Sequence, residues 1–203
     1  MNANGTKSIA ALIDAIAERG YVVAPQFFDA SFVARLRSRL LESDAAGFFS
    51  AAAIGHGMQR VARADVRGDR ICWLEPKSAA EAEQSLYEKL DALRVAANRE
   101  LQLGLLDFEG HYAIYPPGRG YARHIDSFQD DDARVLSIVV YLNARWQTDN
   151  GGALRLHLPT GEKVDAMPQT GTLAAFLADR FVHEVLPATR QRLSIAGWFR
   201  RRT

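Results

Sequence analysis

Apolar residues recur at helical spacing through the first half of the chain and then give way near residue 105 to short strand-like runs. SIAALIDAIAERG, residues 8–20, reads as an amphipathic helix stopped by Gly20, and YVVA after it as a short strand. DASFVARLRSRLLES places Asp29 as an N-cap ahead of an apolar stripe through Phe32, Val33, Leu36 and Leu40. Residues 51–66 are small, polar and basic and predict a mobile loop. RGDRICWLE, 67–75, predicts a turn into a strand, and residues 78–101 a long amphipathic helix. Eight runs follow: FEGHYAIY, YARHID, RVLSIVVYLN, GALRLHL, EKVDA, GTLAAFLA, HEVLP and RLSIAGWF. Many of their residues are β-branched or aromatic, and PPGRG, NGG, PTG and QTG punctuate them. That spacing predicts a closed barrel or sandwich with helices packed outside, and NGG at 150–152 predicts a hairpin-type turn.

The bulk numbers narrow the function classes. A length of 203 residues fits one domain that can bury its own core. Basic and acidic residues number 25 and 24, so charge points to neither nucleic acid nor a membrane surface. The single cysteine, Cys72, excludes an internal disulfide and a cysteine-built zinc site. The N-terminus lacks the apolar run of a signal peptide, and no segment has the apolar length of a membrane span. The expectation is a cytoplasmic monomer.

Against that background the histidines stand out. There are five: His56, His111, His124, His157 and His183. His124-Ile125-Asp126 follows the Pro/Gly turn, and in a strand positions i and i+2 share a face. His183 lies in a separate predicted strand. Two imidazoles and one carboxylate, without cysteine, make the facial set that leaves three positions open on an octahedral metal, as in non-haem iron(II) oxygenases. Alternation through RLSIAGW puts Arg192, Ser194, Ala196 and Trp198 on one face. A buried arginine there needs an anion, and its planar fork suits a carboxylate. A dicarboxylate cosubstrate chelating the metal at one end would provide it, with a salt bridge to a protein acid as the structural alternative.

With these residues in hand, the chain resembles the prolyl 4-hydroxylase family of 2-oxoglutarate- and iron(II)-dependent oxygenases, most of all the branch of the animal oxygen-sensing prolyl hydroxylases and their bacterial counterparts. Four stretches carry the resemblance: RGDRICWLE at 67–75, YPPGRGYARHID at 115–126, RVLSIVVYLN with NGGALRL at 134–156, and HEVLPATRQRLSIAGWF at 183–199.

The resemblance implies an α+β, mainly β, fold: a double-stranded β-helix over 105–200 with helical support and a substrate loop near 51–75, all in one domain, 1–203. It implies iron on His124, Asp126 and His183, with 2-oxoglutarate held by Arg192, Tyr141, Tyr115 and Ser194. Ala196 departs from the hydroxyl residue that relatives often carry there. It implies a substrate pocket of Trp198, Arg123, Asp69 and Arg134, with Asp69 and Arg134 ion-paired at the base of the 56–66 loop. O2 would be the oxidant and ascorbate the reductant. The implied substrate is a prolyl residue in a protein, elongation factor Tu being one candidate, with Gly55 and Gly57 as loop hinges and Arg60, Arg63 and Arg67 facing an acidic partner. The rival readings are a hydroxylase of a free amino acid or small metabolite, and a silent metal-binding module.

Overall fold

The structure, a computed structural model, describes residues 8–52, 63, 66–78, 80–127 and 133–202. The expected hinge and most of the 51–66 loop, including His56 and Arg60, lie outside the described residues.

Three helices form where the apolar stripes predict them. Helix α1 spans Ile9–Arg19 between a Ser8 side chain that accepts from the Ala11 amide and Gly20 at φ 80°, a left-handed stop that suits glycine. Helix α2 spans Ala30–Ala45, and the Asp29 carboxylate caps it by accepting from Phe32 N at 2.7 Å. Helix α3 spans Glu81–Leu101.

The strands are β1 Tyr21–Ala24, β2 Ser50–Ala51, β3 Arg70–Trp73, β4 Asp107–Tyr115, β5 Tyr121–His124, β6 Arg134–Tyr141, β7 Leu154–His157, β8 Lys163–Ala166, β9 Leu173–Leu177, β10 Val182–Val185 and β11 Arg192–Arg200. All eight runs predicted after residue 105 are present as β4 to β11. A seven-stranded sheet has the order β1-β9-β6-β11-β4-β3-β2, and a four-stranded sheet the order β5-β10-β7-β8, every pairing antiparallel. The two sheets face each other as a double-stranded β-helix.

Period-two alternation divides the core into two layers. On β11, Leu193, Ile195 and Phe199 join Leu36, Leu86 and Leu90 of the helices in one cluster on the outer face of the large sheet. Tyr115, Tyr141, Leu154, Leu156 and Phe176 fill the space between the sheets. The central strand β6 is covered on both faces, which is why RVLSIVVY reads as an almost continuous apolar run.

The NGG segment is not a hairpin. It links β6 of the large sheet to β7 of the small one, so the strands it joins do not pair. Its glycines, at φ 68° and 73°, instead let the chain cross between sheets, where Gly151 bridges Ala188 and Gly152 N donates to Pro187 O at 3.0 Å.

Candidate metal centre and its cavity

Strand pairing builds the centre. In the β5–β10 ladder His124 lies directly opposite His183. The turn that precedes β5 closes on Gly120, where a Cβ would run into the carbonyl oxygen of Val185; glycine lets β5 press onto β10. Strand β5 ends at His124, so Asp126 does not share a strand with it. The carboxylate is turned back by Ser137 of β6, whose hydroxyl donates to Asp126 Oδ2 at 2.7 Å.

One ligand atom from each of His124, Asp126 and His183 lies within 4.8 Å of the others. His124 Nδ1 is 2.8 Å from Ala122 O, and His183 Nδ1 is 3.0 Å from Phe181 O. A carbonyl only accepts, so both Nδ1 atoms carry a proton, and both Nε2 atoms turn toward Asp126, at 3.7 and 3.5 Å. Burial, and then His183, lowers the His124 pKa to about 4, which keeps the ring neutral and able to ligate. Burial pushes Asp126 upward, but His183, His124 and the Ser137 hydroxyl together hold it below its ordinary value. Two imidazole nitrogens and one carboxylate fit a divalent iron with positions left open. Tyr121 stacks on His124, ring centroids 3.6 Å apart at 17°, and fixes the plane of that imidazole.

The triad opens on a cavity of about 470 Å³ between the sheets. At its far end Arg192 is only 2 % exposed. Its Nε donates to Gly152 O at 2.9 Å and its Nη1 to Ser194 Oγ at 3.2 Å. The Tyr141 and Tyr115 rings lie 4.9 and 5.2 Å from the guanidinium carbon. No acid pairs with Arg192 among the described residues. Tyr115 lines the cavity, whereas Tyr141 is packed against the guanidinium and its hydroxyl donates to Ala166 O at 3.2 Å. As alternation predicts, Arg192, Ser194, Ala196 and Trp198 all face inward.

Three expected placements need correction, those of the Asp69–Arg134 pair, Arg123 and Arg67. The Asp69–Arg134 pair does not form. Arg67 donates to both Asp69 oxygens, at 2.8 and 3.0 Å, so the carboxylate is met by an arginine two residues away on the same face. Arg134 turns to Glu109, at 3.5 Å, and lies over Trp198, 3.6 Å from the ring centroid. Both Asp69 and Arg134 still line the cavity. Arg123 does not: with His124 pointing inward, its neighbour points outward, exposed and 3.5 Å from Glu184.

Arg67, expected to face an acidic partner, is instead turned into the cavity wall with a largely buried side chain, and it meets His111, to which sequence reasoning assigned no role. Arg67 stands over the Tyr121 ring at 4.9 Å and contacts His111 Nε2 through Nη2 at 3.2 Å. The alternation of FEGHYAIY was the available signal for His111, since it shares a face with Tyr115.

Comparison with known proteins agrees with this geometry. Residues 110–200 match the 2OG-Fe(II) oxygenase superfamily. A Pseudomonas putida prolyl-4-hydroxylase structure superposes with TM-score 0.87 at 43 % identity, covering 97 % of this chain and 100 % of that one. A Trichoplax adhaerens prolyl hydroxylase, solved with a hypoxia inducible factor oxygen degradation domain peptide, superposes with TM-score 0.86 at 28 % identity over 95 % of this chain and 88 % of that one. Human Egl nine homolog 1 is 35 % identical over 145 residues, 66 % of this chain and 33 % of the human protein, so the chain spans about a third of that relative. The matched family implies iron(II), 2-oxoglutarate and O2. No helix among the described residues is long and apolar enough to cross a membrane. The matched fold, the His-Asp-His set and the full-length likeness to a solved prolyl hydroxylase lead to one assignment: this chain belongs to the prolyl hydroxylase group of the 2OG-Fe(II) oxygenase superfamily.

Proposed function

We propose that this protein hydroxylates a prolyl residue within a protein substrate. In this reading His124, Asp126 and His183 hold iron(II), and Arg192 takes the far carboxylate of 2-oxoglutarate. The observation that carries it is Arg192 itself: a buried, permanently charged side chain in the same cavity as the metal set, given only neutral oxygens by the protein.

When bound, iron(II) with 2-oxoglutarate and O2 supplies the oxidising power that hydroxylates an unactivated C–H bond, with succinate and CO2 released. The chain's own residues bind, orient and exclude water. The carbonyls of Ala122 and Phe181 set the tautomers of the two ligand histidines. Ser137 aims Asp126. Ser194 and Gly152 hold the Arg192 fork in one direction, which prepays the cost of ordering it when a carboxylate arrives. No side chain is required as a general acid or base.

A polypeptide substrate is favoured by the rim. Trp73 is 43 % exposed and Ile125 38 % exposed at the mouth of the cavity, an apolar lip suited to an extended segment. Trp198 and Tyr121 line the cavity with aromatic surface between that rim and the triad. The Trichoplax relative's bound peptide supports the same reading. Ascorbate is proposed as the reductant that keeps the iron divalent, and elongation factor Tu as one candidate substrate.

The test adds purified protein, iron(II), 2-oxoglutarate and ascorbate to a lysate from cells lacking the gene. A prolyl peptide should gain the mass of one oxygen atom. Succinate release stimulated by free proline, with no peptide modified, would replace this reading with a small-molecule one.

A further inference from the structure

A second recess adjoins the cavity. A crevice of about 370 Å³ opens between α2, β3 and the start of α3. Trp73 lines both, so one indole stands between the cavity and the crevice. Strand β2 pairs only with Arg70 and Ile71, and beyond Ile71 no strand among the described residues covers the free edge of β3. A polypeptide leaving the cavity over Trp73 therefore meets the crevice next.

The walls of the crevice are aromatic and acidic. Phe48 is 65 % exposed, and Trp73 also stands open to solvent. An aromatic face attracts a cation through the charge distribution of its ring. The charged residues do not balance. Arg39 is already matched: its Nε donates to Glu83 at 3.3 Å and its Nη1 lies 3.9 Å from Glu42. Tyr112 also donates to Glu83, at 3.2 Å. Glu75 is exposed in the crevice wall, and its carboxylate has no ion pair or hydrogen bond among the described residues. Arg39 set against Glu83 and Glu75 leaves the lining with one negative charge in excess. The Cys72 thiol in the same wall registers that excess. Burial raises its pKa first, and Glu83 and Glu75 add to the rise while Arg39 opposes it.

These features select one kind of side chain. A long apolar stem can lie along Phe48 and Trp73 while a cationic head meets Glu75, which is how lysine and arginine divide between apolar and charged surroundings. An acidic side chain would meet repulsion there, and a short apolar one would leave Glu75 unmatched.

We propose that this crevice is a docking site for a lysine or arginine side chain of the same polypeptide whose proline enters the cavity. The inference rests on the reading of the protein as a hydroxylase of a prolyl residue in a polypeptide, and it adds a charge requirement on the sequence around that proline. Glu75 follows Trp73 by two positions, roughly 7 Å of extended chain, so the basic residue stands within about five positions of the target proline.

The experiment takes the prolyl segment that the protein hydroxylates in lysate and resynthesises it as a peptide. The segment should carry lysine or arginine within that distance of the proline. Replacing the basic residue with alanine should raise the peptide KM about tenfold with kcat unchanged, and Glu75→Lys in the protein should do the same. A peptide with glutamate in place of the basic residue should recover most of the loss in Glu75→Lys and be a poor substrate for wild type. Protein loaded with Mn(II), which occupies the metal site without turnover, should bind 2-oxoglutarate equally well as wild type and as Glu75→Lys, which shows the variant folded. Should Glu75→Lys fail that control, Glu75→Gln, which keeps shape and loses charge, should raise KM about threefold. An unchanged KM in the folded variant, a loss that the charge-swapped peptide does not recover, or a target segment without a basic residue overturns the inference alone. A lysate in which no prolyl peptide is modified overturns the proposed function and the inference together.

Discussion

Arg67 and Arg192 both stand in the wall of one cavity, and only Arg67 is matched to an acid. Asp69, with a fully buried side chain, meets Arg67 through both oxygens. Burial works against the Arg67 charge, and the bonds from Asp69 outweigh it and raise its pKa. Arg192 has a backbone carbonyl, a serine hydroxyl and two aromatic rings. Neither guanidinium can shed its proton to escape the cost of burial. The pair teaches how to tell two uses of a buried arginine apart. Where the carboxylate is internal, the ion pair is part of the wall and stiffens the ladder from Arg67 through Tyr121 to His124 of the triad. Where the carboxylate is missing, the fold holds an oriented positive charge that an incoming anion completes.

That contrast can be broken first at Asp69. Asp69→Ala leaves a largely buried guanidinium without its counter-charge and should cost about 3–5 kcal/mol of stability, read by chemical denaturation. A loss below 1 kcal/mol would mean the pair is not structural.

The next effect is one of pH. Folding strips the proton from His111, with a folded pKa of about 3, while the unfolded chain holds that proton below its ordinary 6.5. The unfolded state binds more protons in that window, so the contribution of His111 is complete above pH 6.5 and is lost as pH falls toward 3. Between pH 7 and pH 5, metal-free wild type should lose about 2 kcal/mol more stability than His111→Asn, which has no such group. Parallel losses in the two proteins would contradict it.

The smallest effect belongs to Arg134. Its contacts include a half-screened pair with Glu109, the face of Trp198 and a 3.5 Å donation to the Asp126 carbonyl. Arg134→Ala should cost about 1 kcal/mol or less, which sharpens the identity of the partner of Asp69. A cost equal to that of Asp69→Ala would restore the long-range pair.

Much of this was legible in the residues. Caps at Asp29 and Gly20 marked helix ends, because an orphan amide or a left-handed φ is a local demand that one residue meets. Alternation placed Arg192, Ser194, Ala196 and Trp198 correctly, since a strand leaves each residue only two faces. The same rule, carried one residue back from His124, would have turned Arg123 outward. Glycines at 151 and 152 announced positive φ, yet a positive φ does not say which sheet the chain enters next. The partner of Asp69 was misassigned because a tertiary pairing was preferred to an arginine two residues away on the same face. His111 was missed because its meaning is relational: a histidine in a strand becomes informative only once Arg67 is seen on one nitrogen and, among the described residues, no partner on the other.

The central claim is that Arg192 is an anion receptor rather than a structural cation. It is tested most directly by titrating 2-oxoglutarate into the Mn(II)-loaded wild type and Arg192→Ala. Removing a bidentate charged contact in a buried site should weaken binding about a hundredfold, with Mn(II) affinity unchanged. Equal affinity in the two proteins would contradict the account.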